Sequence, residues 1–385
     1  MPDTDVVIVG AGATGLGVGA ALRRRGVRAL LLDRDDRVGG TWAKRYERLH
    51  LHTVRRFSGL PFQPVPPTEP RYVPTHAYAA YLSTYAHTQQ LDVRLGAQVR
   101  RITREDGSWM VEMDAQSGTR WHSPAVIVAT GRHNVPHMPD WPGASDFGGR
   151  VLHSHAYLTG RTFAGQRALV VGIGNSGAEI ATDLVECGAQ DVAISVRTPP
   201  PITSREIAGI PVQLLGMFLK PFPARFVDWL GRGLRRIGTG DLSPYGLAAE
   251  RWGPFVSRRP PVIDVGFLAQ LKAGRIRVRP DVRRLTPTGV VFVDGSEAPF
   301  DVVIAATGYS TGLRAIVDVP GALDERGYPV GENPGDGLWF AGFVESPRGQ
   351  LYESAQSAPR LAREVSAFLA RRSWGVNSNG RSDRV

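Results

Sequence analysis

The chain has 385 residues, of which 42% are apolar and 21% charged, as is ordinary for a soluble globular protein. Its net charge is +10, but no basic stripe carries interleaved aromatic residues, so no nucleic-acid partner is expected. Cys187 is the only cysteine, which excludes an internal disulfide and a dithiol redox couple.

Neither a membrane span nor a metal site is expected. No apolar run reaches the roughly 18 residues that a membrane span requires. A strand-like run starts at Asp5, so we expect no signal peptide and a cytoplasmic location. The histidines lack metal-ligand spacing with carboxylates, so no metal site is predicted. The sequence leaves the oligomeric state open.

The first predicted unit is built around a glycine loop. An apolar run over residues 5–9 leads into Gly10-Ala11-Gly12-Ala13-Thr14-Gly15, and a helical pattern follows. In such a G-x-G-x-x-G loop, Gly10 permits a tight turn and Gly12 lets the backbone approach a pyrophosphate. Gly15 allows the helix to pack closely on the strand. The loop therefore predicts a dinucleotide site.

A carboxylate completes this first unit. The next apolar run, Ala29–Leu32, predicts a second strand that ends at Asp33. An acidic side chain at that point can accept hydrogen bonds from the ribose hydroxyls of an adenosine. The order of strand, loop, helix, strand and carboxylate is more specific than the glycine loop alone.

The following stretch predicts a helix, a small sheet and a returning strand. Tyr78, Tyr81 and Tyr85 share one face of a helix that begins near Thr75, and this aromatic face is expected to pack. Short alternating runs between residues 99 and 121 predict an inserted antiparallel sheet. The run over 125–128 then ends in Ala129-Thr130-Gly131, where small residues let the backbone crowd a nucleotide.

A second glycine loop repeats the first. The run Ala168–Val171 feeds Gly172-x-Gly174-Asn175-Ser176-Gly177, and a helix is predicted from Asn175 towards Val185. The next strand, 192–196, ends in Arg197-Thr198 without a carboxylate. Arginine in place of the acid is the arrangement that accommodates a 2′-phosphate, so this loop predicts NADPH.

After the second loop, the sequence predicts a segment of irregular structure, followed by further strands and a late helix. Residues 203–260 predict a variable helical segment, with Val227, Leu230, Leu234 and Ile237 on one helix face. A lid over the site is favoured over a basic amphipathic helix on a membrane surface. A hairpin turns at Asp294-Gly295, a strand over 301–305 ends in Ala306-Thr307-Gly308, and a late helix begins at Gly349-Gln350.

Several motifs together resemble the flavin-containing monooxygenases. The fingerprint F-x-G-x-x-x-H-x-x-x-Y spans Phe147 to Tyr157, directly before the second glycine loop. Gly39-Gly40-Thr41-Trp42 resembles the element that follows the ribose carboxylate in FAD-binding members, although Trp42 could equally be core. The likeness covers the chain from Val6 to about Leu369.

The resemblance is nearest to the plant auxin-synthesising, YUCCA-type members. His52 stands where animal-type members carry asparagine, so the asparagine's role beside the flavin cannot be carried over. Arg205-Glu206-Ile207 and the run over 261–266 also match that type. Baeyer–Villiger enzymes end their fingerprint in tryptophan, so Tyr157 argues against that subclass without excluding its reaction.

The resemblance implies an α/β fold with two Rossmann-like domains, the NADPH domain being inserted in the FAD domain. The expected bounds are 1–160 for the first FAD part with its antiparallel sheet, and 161–284 for NADPH with the lid near 203–260. Residues 285–372 return to the FAD domain, and 373–385 are expected to be a disordered tail.

The resemblance also implies which residues bind each cofactor. The residues expected to bind FAD are Gly10, Gly12, Ala13, Thr14, Gly15, Asp33, Gly40, Thr41, Trp42, His52, Thr53, Val99, Ala129, Thr130, Gly131, Gly342, Gln350 and Leu351. Those expected to bind NADPH are Gly172, Gly174, Asn175, Ser176, Gly177, Arg197, Thr198, Ala306, Thr307 and Gly308. No catalytic side chain is assigned; His153 and Tyr157 are interpreted as inter-domain linker residues rather than acid–base catalysts.

The implied activity is that of an NADPH-dependent, FAD-containing monooxygenase. Such an enzyme forms a peroxyflavin from oxygen and inserts one oxygen atom into a small organic substrate. The target is a nitrogen or sulfur atom, or a carbonyl, as in Baeyer–Villiger oxidation or decarboxylation of a 2-oxo acid. The alternatives are a flavin oxidoreductase without oxygen insertion and a nucleotide-binding sensor without turnover.

Overall fold

A computed structural model describes residues 4–105, 107–114, 118–219, 221–257, 259–344, 346 and 348–379. The strands are β1 (Val6–Val9), β2 (Ala29–Leu32), β3 (Asp92–Arg94), β4 (Val99–Glu105), β5 (Ser108–Met113), β6 (Arg120–Ser123), β7 (Ala125–Val128), β8 (Val135–Pro136), β9 (Arg150–His153), β10 (Arg167–Val171), β11 (Asp191–Ser195), β12 (Ile202–Ser204), β13 (Glu206–Ile207), β14 (Ile210–Pro211), β15 (Val262–Asp264), β16 (Arg277–Arg279), β17 (Val282–Thr286), β18 (Gly289–Phe292), β19 (Glu297–Pro299), β20 (Val302–Ala305), β21 (Tyr309–Ser310) and β22 (Leu338–Phe340). The helices are α1 (Ala13–Arg23), α2 (Gly40–Ala43), α3 (Thr75–Thr88), α4 (Asn175–Glu186), α5 (Val212–Leu219), α6 (Ala224–Thr239), α7 (Pro254–Ser257), α8 (Phe267–Lys272) and α9 (Gln350–Asn379).

The first sheet is parallel and buried on both faces. Its strand order is β22-β7-β1-β2-β3, and β1 lies between β7 and β2 in register. Val6 and Ile8 of β1 pack against the helices on one face, and Val7 and Val9 pack into the core beneath the antiparallel sheet β4-β5-β6. Burial on both faces explains why β1 is continuously apolar rather than alternating.

The second sheet repeats this plan. Its order is β16-β11-β10-β20-β9, with β10 between β11 and β20, and all neighbours are parallel. Ala168 and Val170 of β10 face the core that contains α4 and α8, whereas Leu169 and Val171 face the antiparallel sheet β17-β18-β19. The predicted α/β fold with two dinucleotide-binding units is confirmed, and so is the antiparallel sheet inserted in the first unit.

The second sheet corrects two predicted domain bounds. Strands β9 and β20 lie outside residues 161–284 but pair in the second sheet, and the hairpin of β17–β19 covers that sheet as well. The physical reason is that β20 fills the position beside β10 that β7 fills beside β1. The return to the first sheet is therefore made by β22.

Two further expectations differ from the structure. Helix α9 continues to Asn379, so the start of the expected disordered tail is helical, and 380–385 lie outside the described residues. In α6, Val227 is buried but Leu234 is exposed, so the predicted apolar face is only partly covered. The side chain of Ile237 lies outside the described residues.

In each unit, two glycines of the loop allow the helix to approach its sheet closely. A Cβ on Gly15 would lie 1.9 Å from the carbonyl oxygen of Gly10, and a Cβ on Gly177 would lie 1.9 Å from that of Gly172. The first glycine of each loop has positive φ, +107° at Gly10 and +103° at Gly172. These positions require glycine because a side chain would displace the helix from its strand.

We expect Gly177→Ala to lower the free energy of unfolding by about 1–3 kcal/mol or more, because the methyl group overlaps the Gly172 carbonyl. The matched control is Gly233→Ala in α6, where an added Cβ meets nothing within 4 Å. That exchange should be neutral or stabilising by up to about 1 kcal/mol. Denaturant unfolding measures both; equal losses would contradict the packing argument.

Candidate functional site

The residues predicted to bind FAD gather at the carboxyl edge of the first sheet. Gly10, Asp33, Ala129 and Gly342 follow the ends of β1, β2, β7 and β22. A Cβ on Gly10 would lie 2.5 Å from the Ala129 carbonyl oxygen, so the loop and the A-T-G segment touch through backbone. Ligands of parallel α/β sheets bind at this edge, where helix N-termini also point.

Asp33 organises the loop from the end of β2. Its carboxylate accepts hydrogen bonds from the backbone N–H of Ala11 at 2.6 Å and of Asp35 at 2.9 Å. Burial raises the pKa of Asp33, and the two N–H donors oppose that rise. The side chain is partly exposed, and its predicted hydrogen bonds to a ribose remain a prediction.

The N-termini of α1 and α9 meet at the same edge. The hydroxyls of Thr14 and Ser354 lie 2.9 Å apart, and a Cβ on Gly342 would lie 2.8 Å from Thr14 Oγ1. Gln350 Nε2 donates to the Gly342 carbonyl at 2.9 Å. Two positive helix ends therefore converge where an anionic cofactor would be stabilised.

Other predicted FAD residues take packing positions. Trp42 lies edge-on to Tyr78 at 5.1 Å and packs against the first core, which supports the core interpretation for its indole. Thr41 donates to Asp35 at 3.3 Å, and Gly40 packs against the same carboxylate. Ala13, Gly12 and Gly15 belong to the loop, whereas Val99 and Leu351 are buried in the cores.

The second edge is assembled in the same way. Gly172, Arg197 and Ala306 follow β10, β11 and β20, and a Cβ on Gly172 would lie 2.7 Å from the Ala306 carbonyl oxygen. Thr307 Oγ1 donates to the His137 carbonyl, and Gly308 has a φ of +88°. The predicted NADPH residues Gly172, Arg197 and Ala306 are therefore brought together at one edge of the second sheet.

Two of these side chains have local roles. Asn175 Oδ1 accepts from the Ile263 N–H at 2.7 Å, so its amide holds the strand β15 beside the loop. The Ser176 hydroxyl hydrogen bonds to buried Tyr46, whose pKa burial raises well above its usual value. Arg197 and Thr198 are exposed, and Arg197 forms no hydrogen bond or ion pair with any residue that the structure describes.

The fingerprint residues bind the second unit. His153 is buried; its Nε2 lies 3.0 Å from the Gly308 carbonyl, and its Nδ1 accepts from the His155 N–H at 3.0 Å. This pattern requires the neutral ring, and burial lowers the pKa of His153. Buried Tyr157 donates to Asp183 at 2.6 Å, and burial raises its pKa. Both contacts give these side chains packing roles within the second unit, and His153 ends strand β9 of the second sheet rather than lying in a linker.

His52 lies at the junction of the two units, opposite a residue that the sequence did not single out. Its Nε2 is 3.2 Å from Glu179 Oε1, and the Glu179 side chain is only 3% exposed. The pair is close without being aligned as a hydrogen bond, since Glu179 Oε1 has no hydrogen-bond partner. Glu179 lies one turn into α4, so it links the second loop to the His52 segment. The sequence offers one indication of this residue, since Glu179 is a glutamate between apolar residues of a predicted helix.

Two more functional candidates were missed because they act between distant segments. Tyr309 directly follows the second A-T-G; its hydroxyl accepts from Arg45 at 2.9 Å, and its ring lies 5.0 Å from that of His153. Buried Gln213 of α5 donates to the Arg348 carbonyl at 2.7 Å and accepts from the Val54 N–H at 2.8 Å. Its polar character within the predicted lid was the only signal.

The residues present fit two dinucleotides. A Cβ on Gly12, Gly131, Gly174 or Gly308 would meet nothing within 4 Å, so each loop offers an open backbone surface. Thr130 Oγ1 and His52 Nδ1 are buried without a hydrogen-bond partner at the first edge, as is Ser154 Oγ near the second. Buried polar atoms are normally satisfied, so these atoms match sites completed by a ligand.

The described residues carry neither a metal-binding cluster nor a membrane-spanning helix. Within the described ranges, no group of three or more histidine, cysteine or carboxylate side chains could hold a metal ion. Over the same residues, none of the helices combines the length and the apolar character needed to cross a membrane.

Comparison with known proteins identifies similar chains. A family model described as flavin-binding monooxygenase-like matches residues 3–318. The indole-3-pyruvate monooxygenase YUCCA1 of Oryza sativa subsp. japonica is 35% identical over 375 residues, 93% of this chain and 90% of that protein. A flavin-containing monooxygenase from Stenotrophomonas maltophilia has a TM-score of 0.71 at 24% identity, covering 96% and 99% of the two chains. OTEMO in complex with FAD and NADP has a TM-score of 0.71 at 18% identity, covering 96% and 85%.

If Arg197 binds the 2′-phosphate, Arg197→Ala should raise the KM for NADPH about 10- to 100-fold, the range of a charge-assisted contact. The KM for NADH should change little. Steady-state kinetics with both coenzymes measures this, with exposed Arg275→Ala as the control. Equal increases in KM for NADPH and NADH would contradict the assignment of Arg197 to the 2′-phosphate.

The lowered pKa of His153 sets a pH dependence of stability. The folded state favours the neutral ring. The free energy of unfolding that this ring contributes is therefore present above pH 6.5, the ordinary pKa of histidine, and is lost as the pH falls below that value. We expect denaturant unfolding to show that the free energy of unfolding falls more steeply at acid pH for the native chain than for His153→Gln. His155 titrates in both proteins, so the difference isolates His153; identical slopes would contradict this.

Proposed function

The chain belongs to the flavin-binding monooxygenase-like family, and on that premise we propose that it oxidatively decarboxylates an aromatic 2-oxo acid. It is a flavin-dependent monooxygenase that uses FAD and NADPH, as the sequence predicts. This membership favours oxygen insertion over the alternatives of a flavin oxidoreductase and a nucleotide sensor. The substrate class is the proposed part.

The observation that carries the proposal is a cavity, widely open to solvent, beside the N-terminus of α9. It has a volume of about 540 Å³ and is lined by Met217, Pro221, Arg348 and Tyr352. Gln213 ties this wall to Val54, two residues after His52, so the cavity adjoins the segment predicted to lie beside the flavin. An apolar and aromatic wall with one guanidinium suits an aromatic carboxylic acid.

Arg348 is positioned to bind the substrate carboxylate. Glu353 accepts from its Nε at 2.6 Å and from Nη2 at 2.5 Å. A guanidinium has five N–H donors, so the Nη1 side remains for a second carboxylate. The Arg348 guanidinium also lies 5.3 Å from the centre of the Tyr352 ring, which restricts its orientation. Glu353 therefore holds the arginine while the substrate binds its free side.

The remaining residues would orient the groups and exclude water. Bound FAD, once reduced by NADPH, supplies the activation of molecular oxygen. Glu179 holds the imidazole of His52 at the junction, and His52 Nδ1 provides the buried polar atom on the flavin side. Within the second unit, His153 fixes the Gly308 segment and Tyr157 fixes α4, so the coenzyme edge would keep its shape.

The similar plant protein named indole-3-pyruvate monooxygenase supports the same substrate class. In the proposed reaction, the 2-oxo acid, O2, NADPH and a proton give the acid shortened by one carbon, CO2, NADP+ and water. The carbonyl carbon gains one oxygen atom, the bond to the carboxyl carbon breaks, and the second oxygen atom leaves in water.

Turnover of indole-3-pyruvate should release nearly one CO2 per NADPH and place one isotopic oxygen atom from labelled O2 in the product. Arg348→Gln should raise the KM for the 2-oxo acid about tenfold or more, since a charge-assisted contact is lost, but should affect a neutral thioether little. Arg348→Lys and Arg360→Gln are the controls. Efficient oxygenation of a thioether or ketone without CO2 release would contradict the proposal.

A further inference from the structure

Four aromatic side chains of the segment from α5 to α6 are exposed to solvent. They are Phe218 (74% exposed), Phe222 (52%), Phe226 (47%) and Trp229 (70%). The ring centres of Phe222 and Phe226 are 6.3 Å apart, and those of Phe226 and Trp229 are 6.1 Å apart. We call these four residues the aromatic ridge. Single exposed apolar residues are common, but three rings packed in series, with a fourth exposed ring in the same segment, mark an interaction surface.

A row of arginines runs along the ridge. Arg225, Arg232 and Arg236 are exposed, and with Trp229 they are spaced by four, three and four residues, which places them on one stripe of α6. The helix is fixed to the protein along other positions, since Val227 and Asp228 are buried. Aromatic rings and guanidinium groups therefore share the solvent-facing side of one anchored helix.

The acidic groups nearby offset the charge of this arginine row only in part, and Asp241 is the carboxylate that interacts with Arg236. Asp228 accepts from the backbone N–H groups of Phe255 at 3.0 Å and Val256 at 2.8 Å, and so begins α7. Glu250 binds Arg235 at 2.7 Å and approaches Arg232 only at 4.0 Å. Arg225 forms no hydrogen bond or ion pair within the described part of the chain.

We propose that the aromatic ridge and the arginine row dock on the surface of an anionic lipid bilayer. Phenylalanine and tryptophan rings enter the headgroup boundary of a membrane, and flanking arginines bind lipid phosphates. A second copy of the chain fits less well, because a symmetric contact would oppose two arginine rows in a protein of net charge +10. Contact of this kind is peripheral and needs no spanning helix.

The ridge adjoins the mouth of the cavity described above. Met217 and Pro221 line that cavity, and each is a chain neighbour of a ridge residue, Phe218 and Phe222 respectively. A docked protein would therefore hold the opening beside the bilayer, where apolar small molecules concentrate. The docking itself does not depend on the proposed substrate.

Cosedimentation of the full chain with vesicles tests the proposal. Binding is expected with an equal mixture of phosphatidylcholine and phosphatidylglycerol, little with phosphatidylcholine alone, and less as salt is raised. Arg225→Gln with Arg232→Gln should lower the partition coefficient about 30-fold, the change that about 1 kcal/mol per arginine produces. The matched control, Arg283→Gln with Arg284→Gln on β17, should change it little.

Phe226→Ser with Trp229→Ser should weaken vesicle binding about tenfold or more through the lost apolar contact, whereas exposed Val330→Ser should not. Unchanged thermal unfolding midpoints would show that these exposed variants remain folded. The proposal would be overturned if the chain did not bind anionic vesicles, or if the control variants lost as much vesicle binding as the ridge and arginine variants. Concentration-dependent dimers that depend on the ridge, without vesicle binding, would instead assign the surface to a second copy.

Discussion

The structure depends on one steric constraint that occurs twice. In each unit a helix comes so close to its own glycine turn that a single methyl group would lie 1.9 Å from a carbonyl oxygen. This approach places the first turns of α1 and α4 at the carboxyl edges of their sheets. The open glycines Gly12 and Gly174, the A-T-G segments and the strand-end residues then line the same edges. Two equivalent dinucleotide sites follow from this repeated packing.

The contacts between the units give the two sites their relation. His52 and Glu179, Arg45 and Tyr309, and Tyr46 and Ser176 each join the chain segment 45–52 to the second unit. All three are buried or half-buried, so solvent competes with them weakly. They favour one arrangement of the two edges, which transfer of a hydride between two bound cofactors would require.

Much of the fold was readable because its signals are local. Glycine spacing, the apolar runs of β1 and β10 and the turn at Asp294-Gly295 act within a few residues, and the structure confirms the elements they predict. Domain bounds failed where pairing is long-range, since β20 joins the sheet of β10. Glu179 could not be placed opposite His52, because no local pattern links two residues so distant in sequence. The cavity at Arg348 needed the fold for the same reason.

We infer that the two glycine loops bind different dinucleotides in one monooxygenase. Flavin content and the rate of flavin reduction by NADPH, measured on Gly12→Ala and Gly174→Ala, test it directly because both positions admit a methyl group without a clash. We expect Gly12→Ala to be purified with little FAD. Gly174→Ala should retain its FAD, and NADPH should reduce that flavin much more slowly than in the native chain. Loss of FAD from Gly174→Ala, or unimpaired reduction by NADPH in that variant, would contradict the account.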